Sequence, residues 1–597
     1  MVLGYPLTRR RALQGLGATV LLTGAPGLLQ ARAGSTRLGT PVEIRGRQID
    51  LEIAETPVDF NGISRLATTI NGSIPAPTLR LREGDDVVIR VTNRLSVATS
   101  IHWHGILLPF QMDGVPGISF SGIAPGETFT YHFKLRQSGT YWYHSHSGFQ
   151  EMTGMYGALI VEPRAGESIR TDRDHAIVLS DWTDEDPMRV FAKLKIQSDT
   201  YNFNQPTIGD FREDVSGMGL GDAFAKRRMW NQMRMNPTDL ADLSDATLTY
   251  LMNGMPPGQN WTALFQRGER VRLRFINGAS NSFYDVRIPG LKLTIVHVDG
   301  QDVEPVTVDE FRFGPGETYD ALVEPKDDAY TIFAQSMDRT GFARGTLAVR
   351  PGLAAPVPAL DPVQWLTMAD MMGTMGAMGA MTGDATGHGS AGHGATVGHG
   401  NHGAMAMDHA HHAMSRDPLA RPSQTVRHAR SEYGPAVDMR VDTPRTSLDD
   451  PGIGLRNVGR RVLTLADLRS RPEVLDDARF PTREIELHLT GNMERYSWSI
   501  DGLEFGKSTP VSMPQGERIR VILQNDTMMT HPMHLHGMWS ELESPNGELL
   551  VRRHTIPVQP AQRISFLTTP HDLGRWAWHC HLLFHMDAGM FREVVVA

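Results

Sequence analysis

Gly84-Asp-Asp-Val-Val-Ile-Arg-Val-Thr-Asn93 returns twice further along the chain, as Gly268-Glu-Arg-Val-Arg-Leu-Arg-Phe-Ile-Asn277 and as Gly516-Glu-Arg-Ile-Arg-Val-Ile-Leu-Gln-Asn525. Each copy closes on an Asn nine positions after its Gly. The residues between have the alternation and β-branching of a strand. A turn dipeptide precedes each copy: Asn71-Gly72, Asn253-Gly254 and Asp501-Gly502. A second strand start follows each one, at Pro125-Gly-Glu-Thr-Phe129, Pro315-Gly-Glu-Thr-Tyr319 and Pro560-Ala-Gln-Arg-Ile564. Short strands punctuated by Gly and Pro predict an all-β protein of three antiparallel sandwiches, over residues 37–165, 170–350 and 483–597.

The interval 351–482 reads as a linker. Within it, residues 368–414 hold nine Met, seven His and eleven Gly. That composition offers little to a packed core and predicts a loop or insert. The Arg- and Asp-rich remainder, with its Pro turns, reads as a partly ordered connection. Over the 597 residues, 40% are hydrophobic and 21% charged, a globular balance that excludes a wholly disordered chain, a collagen-like rod and a coiled coil. The formal charge of −9 argues against a nucleic-acid partner. A single Cys excludes an intrachain disulfide.

Thr8-Arg9-Arg10-Arg11 precedes a weakly apolar run ending near Ala31-Arg32-Ala33. A basic start, a modest apolar core and an A-x-A end predict a cleavable export signal over residues 1–33. The paired arginines resemble twin-arginine signals, with Ala12 where such signals usually carry Phe. No stretch reaches the ~20 apolar residues of a membrane span, so stable membrane insertion is not expected. The segment places the mature protein outside the cytoplasm, in a periplasm.

Outside the insert, 17 His would give about half of one His-x-His pair by chance, yet four occur. His102 and His104 lie nine and eleven residues after Asn93, and His534 and His536 lie nine and eleven after Asn525. His144 and His146 lie 19 and 21 after Pro125, as His579 and His581 do after Pro560. The middle copy has Val286, Ile288, Ala334 and Ser336 at those places. Residues i and i+2 of a strand share a face, so each pair presents two imidazoles side by side. Two matching four-His patches can close face to face around metal. Ordinary core histidines would not fall in register in two copies and be absent as a set from the third.

Cys580 points away from His579 and His581, toward a second site. Its available partners are His531, His585 and Met590. Two His, a thiolate and a weak thioether make the ligand set of a blue-copper electron-transfer centre. The first copy has Ser145 in place of this Cys and so keeps only the patch.

His102-Trp-His-Gly105, Tyr143-His-Ser-His146, His531-Pro-Met-His-Leu-His-Gly537 and His579-Cys-His-Leu-Leu-Phe-His585 through Met590 resemble the four copper motifs of multicopper oxidases. The signal and the Met/His insert look most like those of the bacterial copper-resistance oxidases. The resemblance implies three cupredoxin-like Greek-key domains and four copper ions. It implies that His102 and His534 bind the lone type 2 copper. It gives one copper of the type 3 pair His104, His144 and His581, and the other His146, His536 and His579. Type 1 copper would take His531, Cys580, His585 and Met590. A reducing substrate would deliver electrons one at a time to type 1 copper. They would pass through Cys580 to His579 and His581, for the four-electron reduction of O2 to water.

That reaction consumes protons and calls for an acid at the cluster. Asp113 lies where related oxidases carry one, although Asp113-Gly114 is also a good turn dipeptide. The second acid that the family often places after the last type 1 His is replaced here by Met586, with Asp587 next to it. Soft thioethers suit Cu(I), so the insert favours Cu(I) as reducing substrate and additional bound copper. The alternatives are a laccase-like oxidase of phenols and a copper-sequestering protein.

Overall fold

The computed structural model describes residues 37–38, 41–373 and 419–597. Each of the three predicted sandwiches pairs a six-stranded with a five-stranded sheet. In the second and third sandwiches the strand order is the same, element for element.

The repeated segment is the same strand each time: Asp86–Asn93, Val271–Asn277 and Ile519–Asn525. It lies parallel to the sandwich's long first strand, Gln48–Asp59, Arg173–Thr183 or Arg483–Asn492. On its other side it is antiparallel to the strand that opens after the Pro-containing turn. The closing Asn has a physical reason. Asn93, Asn277 and Asn525 are fully buried, and each Nδ2 donates to two backbone carbonyls. The Oδ1 of each accepts the N–H two residues on. One amide thus satisfies three backbone groups where the strand ends, which a buried loop requires. The turn dipeptides also behave alike: both residues have positive φ in Asn71-Gly72, Asn253-Gly254 and Asp501-Gly502. These are two-residue hairpin turns that suit the strand twist.

Two stretches depart from the expectation. Residues predicted as part of the second sandwich form three helices, Pro187–Ile196, Ile208–Met218 and Leu220–Met233. Their start signals were present: Asp186 caps the first ahead of Pro187, and Thr207 with Asp210 forms a capping box. The start of the 368–414 insert is also packed. Met368–Met372 is a short helix in which Thr367 and Asp370 form a capping box, Met371 is fully buried and Asp370 pairs with Arg456. The rest of the insert, and the segment 1–33 expected to be an export signal, lie outside the described residues. The connection after it is ordered: Val441, Leu448, Leu455 and Leu468 are buried, and bridges join Ser470 to Val303, Val462 to Glu310 and Arg445 to Gln562. Among the described residues no helix is long and apolar enough to cross a membrane.

Candidate metal centres

The histidine pairs sit on neighbouring strands of the five-stranded sheets. His102–His104 pairs antiparallel with Gly139–His144, bringing His102 opposite His144. His531–Leu535 pairs with Gly574–Cys580, bringing His534 opposite His579. In the middle sandwich the same register sets Val286 opposite Ala334, both fully buried. The three copies therefore share one geometry, and the middle one fills this pair of positions with hydrocarbon.

The first and third sandwiches meet through these faces. His102 stacks on His536 with ring centroids 3.9 Å apart, and His104 on His534 at 3.7 Å. The converging nitrogens form His102–His104–His534, His104–His144–His581 and His146–His536–His579 groups. Within the last, His579 Nε2 lies 3.3 Å from His146 Nε2 and 3.1 Å from His536 Nε2.

Outer hydrogen bonds fix the tautomers. His102 Nδ1 donates to the Asp113 carbonyl at 2.7 Å, His534 Nδ1 to that of His554 at 2.7 Å, and His579 Nδ1 to that of Cys580 at 2.9 Å. His536 Nδ1 donates to Asp113 Oδ2 at 2.9 Å. His144 Nδ1 lies 2.7 Å from Glu151 Oε2. His102 Nε2, His144 Nε2, His534 Nε2 and His104 Nδ1 are buried and have no hydrogen-bond partner. A buried polar atom left unpaired costs about 1–3 kcal/mol, so several lone pairs turned on one point fit a metal ion. Burial, reinforced by neighbouring imidazoles, holds His104, His144, His146, His534, His536 and His581 well below the usual histidine range, and His579 at about 4. Neutral imidazole is the form that ligates.

Cys580, the only thiol, is fully buried on the other side of its strand. Its Sγ is 3.5 Å from His531 Nδ1 and 3.8 Å from His585 Nδ1, and those two nitrogens are 3.1 Å apart. Met590 is fully buried, and its carbonyl accepts the Cys580 N–H at 3.1 Å. Burial pushes the thiol well above its ordinary value. A soft, ionised-sulfur site here therefore requires a metal to displace the proton.

Four supporting residues escaped the sequence reading. Asp242 Oδ2 stands 3.0 Å from His585 Nε2, both buried. Glu151 is 3% exposed beside His144, and burial raises its carboxyl well above the usual carboxylate range. His104 Nε2 lies 3.2 Å from His554 Nδ1 and 3.1 Å from Thr555 Oγ1. None of the four belongs to a His-x-His pair or to a repeat signature, so spacing carried no signal for them.

The second sandwich, without ligands of its own, walls both centres. It supplies Asp242, and its Asp299 pairs with Arg553 at 2.7 Å. Gly316, at φ +89°, lies against the cluster: a Cβ there would sit 2.9 Å from His581 Cδ2 and 3.1 Å from His104 Cε1. Gly316→Ala is expected to displace both imidazoles and to cost about 1–3 kcal/mol in backbone strain. Copper content and thermal unfolding, measured together, check this. Full copper content at unchanged stability would refute the wall.

Three multicopper oxidase family models match the chain, over residues 52–166, 173–351 and 479–597. The chain is 54% identical over 613 residues to Copper resistance protein A of Escherichia coli and 53% identical over 605 residues to a Copper resistance protein A homolog of Pseudomonas syringae pv. tomato. Each alignment covers 99% of both chains. A laccase from Botrytis aclada has a similar fold, with a TM-score of 0.58 at 21% identity, covering 94% of this chain and 88% of that one. On these matches, which run through all three sandwiches and both histidine clusters, the chain belongs to the multicopper oxidases, copper-dependent oxidoreductases that use O2 as electron acceptor.

Proposed function

We propose that the chain is a periplasmic cuprous oxidase that protects against copper by converting Cu(I) to the less permeant Cu(II). The observation that carries the reading is the convergence of eight imidazoles, seven of them buried and His146 half-buried, beside a separate His2Cys group. It sits in a chain more than half identical to copper resistance proteins. In this proposal His102 and His534 hold type 2 copper. His104, His144 and His581 hold one type 3 copper, and His146, His536 and His579 hold the other. His531, Cys580, His585 and Met590 hold type 1 copper. Bound copper would supply one-electron redox chemistry at the type 1 site and four-electron reduction of O2 at the cluster.

The chain's own residues do the rest. Cys580 is covalently joined to His579 and His581, which makes the shortest bonded route between the two centres. Asp242 Oδ2 lies 3.0 Å from His585 Nε2, and Trp498 stacks on that ring at 3.9 Å. Asp113 holds His536 Nδ1 through Oδ2, and its Oδ1 is 3.4 Å from His102 Nδ1. That position serves both to orient ligands and to pass protons to a reaction that consumes them.

The Met/His segment is proposed to gather Cu(I) for the oxidase. Since the structure packs residues 368–373, the test is deletion of residues 376–414, which removes seven His and five Met. Loop length itself changes closure entropy by only ~0.6 kcal/mol per doubling. Oxygen uptake driven by Cu(I) should therefore fall chiefly at low copper, where tethered ligands raise local concentration, while phenol oxidation stays at the parental level. Equal loss of both activities would make the segment structural. Copper binding by the full chain without oxygen uptake would replace the oxidase reading with sequestration.

A further inference from the structure

A second convergence of ligand atoms lies apart from the residues assigned to copper. His428 and Glu432 come from the connection that follows the Met/His segment, and His488 from the first strand of the third sandwich. Asp526 follows the repeat strand of that sandwich. Glu432, His488 and Asp526 are buried, Glu432 and Asp526 fully so, and the side chain of the half-buried His428 is 6% exposed. His428 Nδ1 is 2.7 Å from Glu432 Oε2 and 3.5 Å from Asp526 Oδ2. His488 Nδ1 is 2.7 Å from Asp526 Oδ2 and 3.3 Å from Glu432 Oε2. Two Nδ1 atoms and two carboxylate oxygens thus face one another, and all four lie within 4.8 Å.

The surroundings commit these atoms to that point. Glu432 Oε1 is taken by the Ala429 N–H at 2.8 Å. Asp526 Oδ1 is taken by the Val441 N–H at 3.1 Å and by Gln524 Nε2 at 2.9 Å. Each carboxylate therefore has one oxygen spent on structure and one turned inward. The far sides of the imidazoles face carboxylates as well: His488 Nε2 lies 3.2 Å from Glu486 Oε1, and His428 Nε2 lies 3.3 Å from Asp442 Oδ1. Imidazoles that ligate through one nitrogen and face a carboxylate through the other are the usual outer arrangement of a metal site. A tetrahedral ion with bonds of ~2.0–2.1 Å needs ligand atoms about 3.3 Å apart, inside the range of the four distances above.

We propose that His428, Glu432, His488 and Asp526 form a further site for a divalent transition-metal ion, closed by the connection folding onto the third sandwich. Two inner carboxylates balance the ion's charge. An ion-pair network with no metal is the other reading of the same geometry.

Zinc separates the two. The full-length, copper-loaded chain is equilibrated with Zn2+, passed through gel filtration and analysed for metal, alongside Glu432→Gln and His428→Ala. The Met/His segment is common to all three proteins, so its zinc cancels in the comparison. Both variants should retain one zinc fewer per chain than the parent, with copper content and blue absorption confirming that they fold. Asp442→Asn, on an exposed side chain, should weaken that one zinc by roughly 10–100-fold. Equal zinc in the parent and Glu432→Gln overturns the site. So does an Asp442→Asn protein that binds zinc as tightly as the parent.

Discussion

Cys580→Ser should leave a colourless protein that no longer reduces oxygen. The blue absorption of a type 1 centre comes from the copper–thiolate bond, and no other sulfur of that kind exists in the chain. Serine is close in size, and the site is walled by Trp498, His531 and His585, so the sandwich should still fold. His579 and His581 flank Cys580 and face the other side of the strand, and His579 keeps its hydrogen bond to the Cys580 carbonyl. Copper content should therefore fall by one per chain while turnover drops to background, because electrons lose their point of entry. Optical absorption, metal analysis and oxygen uptake on one sample decide the matter. A variant that stays blue would overturn the assignment of Cys580.

The converse result is expected from His536→Ala. His536 stacks on His102, faces His579 and is held by Asp113, so its loss opens the cluster from both sandwiches at once. Removing an outer partner typically costs a metal site 10–100-fold in affinity, and removing a ligand should cost at least about that much. Oxygen reduction should fail and cluster copper should fall, yet the blue band should persist. His104→Ala should behave in the same way, since His104 belongs to two of the three histidine groups and its Nδ1 has no hydrogen-bond partner. Bleaching of the blue band without loss of cluster copper would mean that the two faces of the strand have been exchanged.

The contrast between these variants is legible in the sequence, because strand parity alone assigns Cys580 and its flanking histidines to opposite faces. Repeat register likewise placed all eight cluster histidines, and the structure finds Val286 opposite Ala334 where the middle copy has lost them. The three helices between residues 187 and 233 were not anticipated. The repeat frame extended β structure over them even though Asp186-Pro187 and Thr207 with Asp210 mark helix starts. Asp242, Glu151 and His554 were out of reach for a different reason. Each reaches its histidine by tertiary packing between segments with no periodic relation, and only the folded chain brings them together. The insert was read by composition as lacking a core, and composition could not reveal that Met371 packs inside.

The division of the cluster between two sandwiches also sets an order of events during biosynthesis. The last histidine of the first patch, His146, leaves the ribosome long before His534 does. At about 5–20 residues per second the interval is roughly 20–80 s. Through that time the first sandwich can be folded and can display its imidazoles, but no closed copper cage exists. The closing histidines His579 and His581 and the thiolate of Cys580 follow only after that, with His585 and Met590 close behind. The proposed enzyme is therefore inert toward oxygen until residue 590 has been made, and a chain ending before His579 would carry six of the eight imidazoles and no thiolate link.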